Sequence, residues 1–277
     1  MEIRYSADIV RYKTMTNQAL RETFVVDTLW TPDYVPLVYS DIDRGVIGSA
    51  VPVNSSLTIP THKDLASEYF AQRREVGIIN IGGAGTIEAD GKIYAMQTYD
   101  SLYIGRGTHG ITFASDEAER PAKFYFVSYP AHSRYETTHI KLDAAKRVHL
   151  GAVETSNKRE IVQSIHPDLV QTCQLVMGFT RLETGNVWNT FPPHTHKRRS
   201  EYYMYFDLLD EDARVFHFMG EADNMRAMIM KDGEVALSPI WSMHCGAGTS
   251  AYSFVWSMGG ENQDFDDMDH IHPSEMG

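Results

Sequence analysis

The chain has 277 residues, 43% apolar and 22% charged, a composition typical of a soluble globular protein with one or two domains. Its formal net charge of −12 argues against nucleic acid or an anionic membrane surface as a partner. The sequence has no signal peptide and no apolar run of roughly 18 residues, and its two cysteines, Cys173 and Cys245, are too few for a disulfide framework, so we expect a cytoplasmic protein.

The first half of the chain is predicted to consist mainly of short strands. Residues 7–21 favour a short leading helix. From Thr23 onwards, short apolar runs alternate with Pro, Gly, Asn and Asp, which is typical of strands joined by turns. Asp90-Gly91 lies between two alternating runs and predicts a hairpin with a type I′ turn. The polar stretch at residues 141–165 is interpreted as a linker.

The strand pattern returns in the second half of the chain, from Thr172 to Met258. Within it, Asp232-Gly233 predicts another hairpin, which leads into the strand that carries His244. The tail that follows is rich in acidic residues, and we expect it to wrap over the folded domain without joining its sheets.

A compact set of metal-ligand types occurs at His194-Thr-His196, followed by Glu201. Alternate side chains of an extended segment share a face, so the two histidines can point at one ion. The intervening Lys197–Ser200 run predicts a tight reversal that returns Glu201 beside them, and His244 is the candidate fourth ligand. Three imidazoles and one carboxylate suit Zn, Mn, Fe, Co or Ni. The alternative is a pair of solvated histidines beside a charged turn.

The two halves of the sequence can be laid over one another. When Glu75 is matched to Glu201, Glu68 and Phe70 stand at the positions of His194 and His196. The first half therefore keeps the strand pattern but lacks the histidines. We interpret residues 1–140 as a structural β-barrel without metal and residues 166–277 as a metal-binding β-barrel.

These motifs resemble those of the cupin superfamily. His194-x-His196-x4-Glu201 matches the first cupin motif, and Gly233-x5-Pro239, followed by His244, matches the second apart from Trp241 in place of a glycine. The resemblance implies an all-β fold of two tandem cupin-type β-barrels, a bicupin, with short peripheral helices.

Several residues near the motif are candidates for binding a substrate. Arg198, Arg199 and Arg181 place positive charge beside the site, where a guanidinium would pair with a carboxylate. Trp188 and Trp241 offer flat faces to a sugar. For the arginines the alternative is a solvated turn, and for the tryptophans it is core packing.

A closer resemblance is to the 5-keto-4-deoxyuronate isomerase family, and it extends over nearly the whole chain. It is carried by five runs, Val76–Gly85, Pro121–Tyr125, Thr172–Thr180, Gly185–Glu201 and Gly260–His270. The resemblance implies a ketol-isomerase of pectin and uronate breakdown that converts 4-deoxy-5-keto-uronate to 3-deoxy-D-glycero-2,5-hexodiulosonate. It further implies a homohexamer with one Zn²⁺ per subunit, held at His194, His196, Glu201 and His244.

The chemistry of such a site agrees with this reaction, because a metal bridging a carbonyl and the adjacent hydroxyl acidifies the proton between them. A base must then move that proton from C2 to C1. Glu201 and Tyr203 are the candidates, and both an enediolate route and a hydride shift stay open. The alternative functions are a cupin Fe(II) dioxygenase and a non-catalytic cupin that binds sugar acids.

Overall fold

In the computed structural model, which describes all 277 residues, the chain divides into two units. The first contains Met1–Arg4, Thr28–Ala145 and Ser164–Val176, and the second contains Tyr5–Asp27, Lys146–Gln163 and Met177–Gly277. The segment 141–165, predicted as a linker, instead holds two strands that join a sheet of the second unit. None of the helices combines the length and the hydrophobicity that a membrane-spanning helix requires.

The first unit consists of a seven-stranded and a four-stranded sheet. In order across the larger sheet, its strands are β1 (Glu2–Arg4), β3 (Leu37–Ser40), β4 (Val46–Ala50), β11 (Phe124–Pro130), β6 (Arg74–Asn80), β9 (Ser101–Ile104) and β12 (Thr138–Ile140). The smaller sheet contains β5 (Leu57–Thr58), β10 (Ile111–Ser115), β7 (Gly85–Ala89) and β8 (Lys92–Met96). Both sheets contribute to one apolar core, in which the rings of Phe113 and Phe126 stack with centroids 6.0 Å apart.

The second unit also consists of two sheets, one of seven and one of five strands. The larger contains β13 (Lys146–Leu150), β14 (Arg159–Ile165), β15 (Val176–Leu182), β22 (Ser253–Gly260), β17 (Arg199–Phe206), β20 (Val235–Ser238) and β2 (Val25–Val26). The smaller contains β19 (Asn224–Met230), β18 (Val215–Glu221), β21 (Met243–Gly248), β16 (Trp188–Thr195) and β23 (Asp269–His270). The tail was expected to remain outside the sheets, but β23 pairs with β16 at the sheet edge.

Helices are few and short. Two α-helices, α1 (Ile9–Tyr12) and α2 (Asn17–Phe24), replace the single helix predicted over residues 7–21. The second begins where the Thr16 hydroxyl accepts a hydrogen bond from the Ala19 N–H, an N-cap that starts a new helix. The 3₁₀ helices are Ile42–Arg44, Lys63–Leu65, Phe70–Gln72, Val153–Thr155 and Pro273–Glu275.

The two predicted hairpin turns have different outcomes. Asp90 and Gly91 have φ of 50° and 78° and connect the paired strands β7 and β8, so this hairpin is confirmed. The prediction for Asp232-Gly233 is wrong, because β19 and β20 on either side pair with different partners in different sheets. The hairpin in this region joins β18 to β19, where Glu221 pairs with Asn224.

Candidate metal centre and its cavity

The four predicted ligands meet inside the second unit. The candidate ligand atoms of His194, His196, Glu201 and His244 lie within 4.8 Å of one another, and all four residues are buried. A tetrahedral ion with bonds of about 2.0 Å holds its ligands roughly 3.3 Å apart, so separations of this size suit a common centre. The structure therefore brings together the cluster that the sequence motifs indicated.

Strand geometry explains why these residues converge. His194 on β16 is paired directly with His244 on β21, and the alternation of an extended chain puts His196 on the same face as His194. After His196 the chain reverses, with the Arg199 N–H donating to the His196 carbonyl, and Glu201 follows on β17.

The strand that carries the histidines is irregular before it reaches them. Between its pairs with β21, the strand β16 advances by five residues, from Asn189 to His194, while β21 advances by only two. The regular pairing is interrupted because Pro192 and Pro193 have no N–H to donate to the neighbouring strand. The displaced residues Thr190, Phe191 and Pro192 form part of a cavity wall beside the ligands.

The hydrogen bonds within the cluster prepare it for a cation. The His196 Nδ1–H donates to the Arg199 carbonyl over 2.7 Å, which leaves the Nε2 lone pair free at 3.0 Å from Glu201 Oε2. His244 Nε2 lies 3.0 Å from the same oxygen, yet neither ring nitrogen of His244 makes a hydrogen bond. Buried nitrogens without partners are costly, and an ion held by all four side chains would satisfy them. The donor set therefore fits a divalent metal.

The charge states of two ligands also suit metal binding. Burial, followed by the nearby charge of His244, holds the pKa of His194 well below its ordinary value, which favours a neutral imidazole. Burial alone would raise the pKa of Glu201, but the proximity of the His244 and His196 imidazoles outweighs it and holds that pKa well below its usual range. Neutral imidazole and ionised carboxylate are the forms that bind a metal.

A cavity of about 510 Å³ opens beside the cluster, with His194, Glu201 and Tyr203 in its wall. Its other polar lining residues are Arg159, Thr180, Thr190, Asp266 and His270. Its apolar lining residues are Leu150, Ile161, Phe191, Pro192, Phe254, Trp256, Met258, Phe265 and Met268. A mostly apolar pocket of this size with a few converging polar groups is typical of small-molecule sites.

None of the three arginines predicted to bind substrate lines this cavity. Arg198 forms ion pairs with Asp267 and Asp269 of the tail, with its Nε donating to Asp267 over 2.9 Å. Arg199 is fully buried, and its Nη2 donates to the Asp267 carbonyl over 3.0 Å. Arg181 pairs with Glu160 over 2.5 Å on the opposite face of the sheet from Thr180, which does line the cavity.

The two tryptophans predicted to contact substrate also lie elsewhere. Trp188 packs against Phe218 with ring centroids 5.9 Å apart, and Trp241 packs against Tyr12 at 5.0 Å. These are the packing roles that the alternative interpretation described. The aromatic faces in the cavity belong instead to Phe191, Phe254, Trp256 and Phe265.

Tyr203 does lie in the cavity wall. Its hydroxyl is 3.5 Å from the Thr190 hydroxyl, and burial, together with the negative charge of Glu201, raises the pKa of Tyr203 well above its ordinary value. The phenol is therefore neutral at physiological pH. It can donate a proton or a hydrogen bond, but it is not ionised to act as a base.

Replacing Arg198 by alanine should loosen the tail over the cavity. Phe265, Asp266, Met268 and His270 of this tail all contribute to the cavity wall, and Arg198 pairs with the carboxylates beside them. Because these ion pairs are partly exposed, we expect a modest fall in kcat/KM, about fivefold. Hydrogen exchange should accelerate across residues 262–270. Unchanged exchange there would contradict a tethering role for Arg198.

Acid should destabilise the second unit through His217. This histidine is fully buried, and its Nδ1 is hydrogen-bonded to the Tyr205 hydroxyl over 2.7 Å. Burial, then the nearby charge of His244, lowers its pKa from 6.5 to about 3. As the pH falls, the unfolded chain therefore binds a proton at this histidine before the folded chain does. The contribution of His217 to the free energy of unfolding is complete above pH 6.5 and is lost as the pH falls toward 3.

Denaturation of wild type and His217→Gln measures this effect. Between pH 7.5 and 5.0, wild type should lose about 2 kcal/mol more stability than the variant, since each pH unit below 6.5 contributes about 1.4 kcal/mol. Equal pH dependence in the two proteins would show that His217 is not held neutral by the fold.

The chain is similar to known proteins over its whole length. The model of the KduI/IolB family matches residues 40–272. A 4-deoxy-L-threo-5-hexosulose-uronate ketol-isomerase of Lachnoclostridium phytofermentans is 52% identical over 269 residues, which cover 97% of each chain. Proteins of the same name from Formosa agariphila and Caldicellulosiruptor bescii are 47% and 43% identical, covering 98% and 100% of those proteins and 99% and 100% of this chain.

Solved structures agree on the architecture. An IolB-like protein of Salmonella typhimurium superposes with a TM-score of 0.72 at 12% identity, covering 90% of this chain and 96% of that one. The oxalate decarboxylase of Bacillus subtilis gives 0.56 at 10% identity, covering 82% of this chain and 71% of that one. At such low identity these likenesses concern the fold, and they confirm the predicted pair of cupin-type barrels.

Proposed function

Because the chain belongs to the KduI/IolB family, we propose that it is a 4-deoxy-L-threo-5-hexosulose-uronate ketol-isomerase. The observation that carries this proposal is the buried set of three histidines and one glutamate in the wall of a cavity sized for a small molecule. Ketol isomerisation needs a centre that stabilises negative charge on adjacent oxygens, and this cluster is built for a cation that does so.

We propose that the resident ion is zinc, held by His194, His196, Glu201 and His244. Three imidazoles and one carboxylate are ligands that zinc accepts, and the hydrogen bond from His196 Nδ1–H to the Arg199 carbonyl fixes the ring that presents Nε2. When bound, zinc would polarise the substrate carbonyl and make the neighbouring C–H more acidic.

The residues of the chain supply the proton transfers. The reaction moves a proton from C2 to C1, and the ionised carboxylate of Glu201 is the candidate base in the cavity wall. The neutral hydroxyl of Tyr203 also lies in the cavity wall and would donate a hydrogen bond to a substrate oxygen on which negative charge develops. The apolar lining keeps bulk water from the reacting carbons.

The direct test is incubation of the metal-loaded protein with the 5-keto-uronate released from unsaturated galacturonate, with and without a chelator. We expect the 2,5-diketo product only when metal is present, and no consumption of oxygen. Exchange of a substrate hydrogen with D₂O would favour the enediolate route over a hydride shift. If fully metallated protein leaves the substrate unchanged, the proposed isomerase activity is wrong.

We further propose that the protein acts in the cytoplasm, in pectin breakdown, as a homohexamer. The support for these points is the family resemblance and the sequence composition. Light scattering after size-exclusion chromatography should then give six times the 31.4 kDa mass of the chain. A monomeric or dimeric mass would contradict the hexamer.

A further inference from the structure

Arg159 is the one lysine or arginine that lines the cavity. It lies on β14, opposite Leu150 of β13, and both Leu150 and Ile161 line the cavity with it. The next residue, Glu160, points to the other face of the sheet and pairs with Arg181 there. Strand alternation therefore directs Arg159 into the cavity and keeps the neighbouring carboxylate away from it.

The guanidinium of Arg159 has most of its hydrogen-bonding capacity free. Nη1 donates to the Asn157 carbonyl over 2.8 Å, and the side chain makes no ion pair. By contrast, Arg181 is paired with Glu160, and Arg198 with Asp267 and Asp269. A partly buried cation without a counter-ion is a strong site for an anionic ligand, because its fork of donors matches a carboxylate.

The surroundings of Arg159 connect it to the metal cluster. Arg159 lines the same cavity as Tyr203 and Glu201, and Glu201 belongs to the cluster. The other charged group of the wall outside the cluster is Asp266, which repels an anion. A ligand with a carboxylate at one end and a hydroxy-carbonyl at the other thus has one favourable orientation.

We infer that Arg159 binds the carboxylate of the substrate and thereby selects uronates over neutral sugars, with the hydroxy-carbonyl end at the metal cluster. This inference rests on the proposed function and names the residue that sets its substrate class. Arg159 acts by binding, so it should affect KM for the acid much more than kcat.

The test compares the keto-uronate with its uncharged methyl ester in wild type, Arg159→Gln and Arg159→Lys. Wild type should prefer the acid by about 100-fold in kcat/KM, as expected for a desolvated charged pair. In Arg159→Gln the KM for the acid should rise by about that factor and the preference should fall to near unity. Arg159→Lys keeps the positive charge but lacks the paired N–H donors of a guanidinium, so it should retain part of the preference for the acid.

Arg147→Gln is the matched control, since Arg147 lies on the neighbouring strand β13 and pairs with Glu160, away from the cavity. Its acid preference should equal that of wild type. Metal content and melting temperature are measured for every variant. A folded, metallated Arg159→Gln that keeps the full preference overturns the inference, as does a wild type that handles acid and ester equally well. A wild type inactive on both compounds refutes the proposed isomerase itself.

Discussion

Replacing His244 by alanine is expected to remove bound metal and turnover together. His244 is 1% exposed, and its Nε2 lies 3.0 Å from Glu201 Oε2 at the centre of the cluster. Without this imidazole the site keeps only two histidines and one carboxylate of the cluster. Replacing a residue that only hydrogen-bonds to a metal ligand already lowers metal affinity or activity by about 10- to 100-fold. Loss of a direct ligand should therefore lower metal affinity and turnover by at least about 100-fold.

Metal analysis of the dialysed protein, combined with the isomerase assay, measures both effects. The matched control is His109→Ala, which removes a histidine of the first unit that stacks on Tyr69 with ring centroids 3.9 Å apart. This variant should keep wild-type metal content and turnover. Metal at full occupancy in His244→Ala would exclude His244 from the ligand set. Loss of turnover with metal retained would instead make it a group that acts on the substrate.

The metal cluster could be predicted because its information is local in the sequence. His194 and His196 are separated by one residue, so the period of an extended strand already places both on one face. Glu201 follows after a reversal of only a few residues. His244 is distant in the chain, but it ends a recognisable second motif and pairs directly with His194.

The arginine that lines the cavity could not be predicted by the same reasoning. Arg181 precedes the motif closely in sequence, yet side chains alternate along β15 and Arg181 lies on the face away from the cavity. Arg159 lies in the segment interpreted as a linker, where a polar sequence concealed two strands of the second unit. A side chain in a segment without an assigned strand has no predictable face, so its place in the cavity could not be foreseen.

Arg198 and Arg199 lie outside the cavity lining for a different reason. They follow the histidines directly, and their charge suggested a substrate carboxylate. In the structure, the acidic tail supplies Asp267 and Asp269 for Arg198, and Arg199 donates to the Asp267 carbonyl. The partner of a surface charge depends on tertiary contacts some 70 residues away in the chain, and local spacing contains no information about them.

The internal repeat has a structural consequence in the first unit. The repeat matches Glu75 to Glu201, and in the first unit no histidines accompany this glutamate. Instead, the fully buried Glu75 carboxylate accepts hydrogen bonds from the backbone N–H groups of Cys173, Gln174 and Leu175 at 2.7–3.0 Å. The Tyr103 hydroxyl donates to it over 2.9 Å. The position that corresponds to a predicted metal ligand of the second unit therefore holds a chain segment in place in the first unit.

Replacing Glu75 by alanine should accordingly destabilise the first unit strongly. Three backbone N–H groups and one phenol would lose their acceptor in a buried site, and each unsatisfied donor costs about 1–3 kcal/mol. Partial relaxation of the 173–175 segment limits the total, so we expect a loss of about 3–5 kcal/mol in the free energy of unfolding. Urea denaturation measures this loss, and hydrogen exchange at residues 173–175 should accelerate with it.

The matched control for Glu75→Ala is Glu88→Ala, which removes an exposed carboxylate from β7 of the same unit and should change stability by less than about 0.5 kcal/mol. Metal content of Glu75→Ala in the absence of urea should equal that of wild type, because all four ligands belong to the second unit. If Glu75→Ala unfolds at the same urea concentration as wild type, the buried carboxylate does not hold the 173–175 segment. If metal is lost while stability is unchanged, Glu75 acts on the metal centre, and its role is not the structural one that its hydrogen bonds indicate.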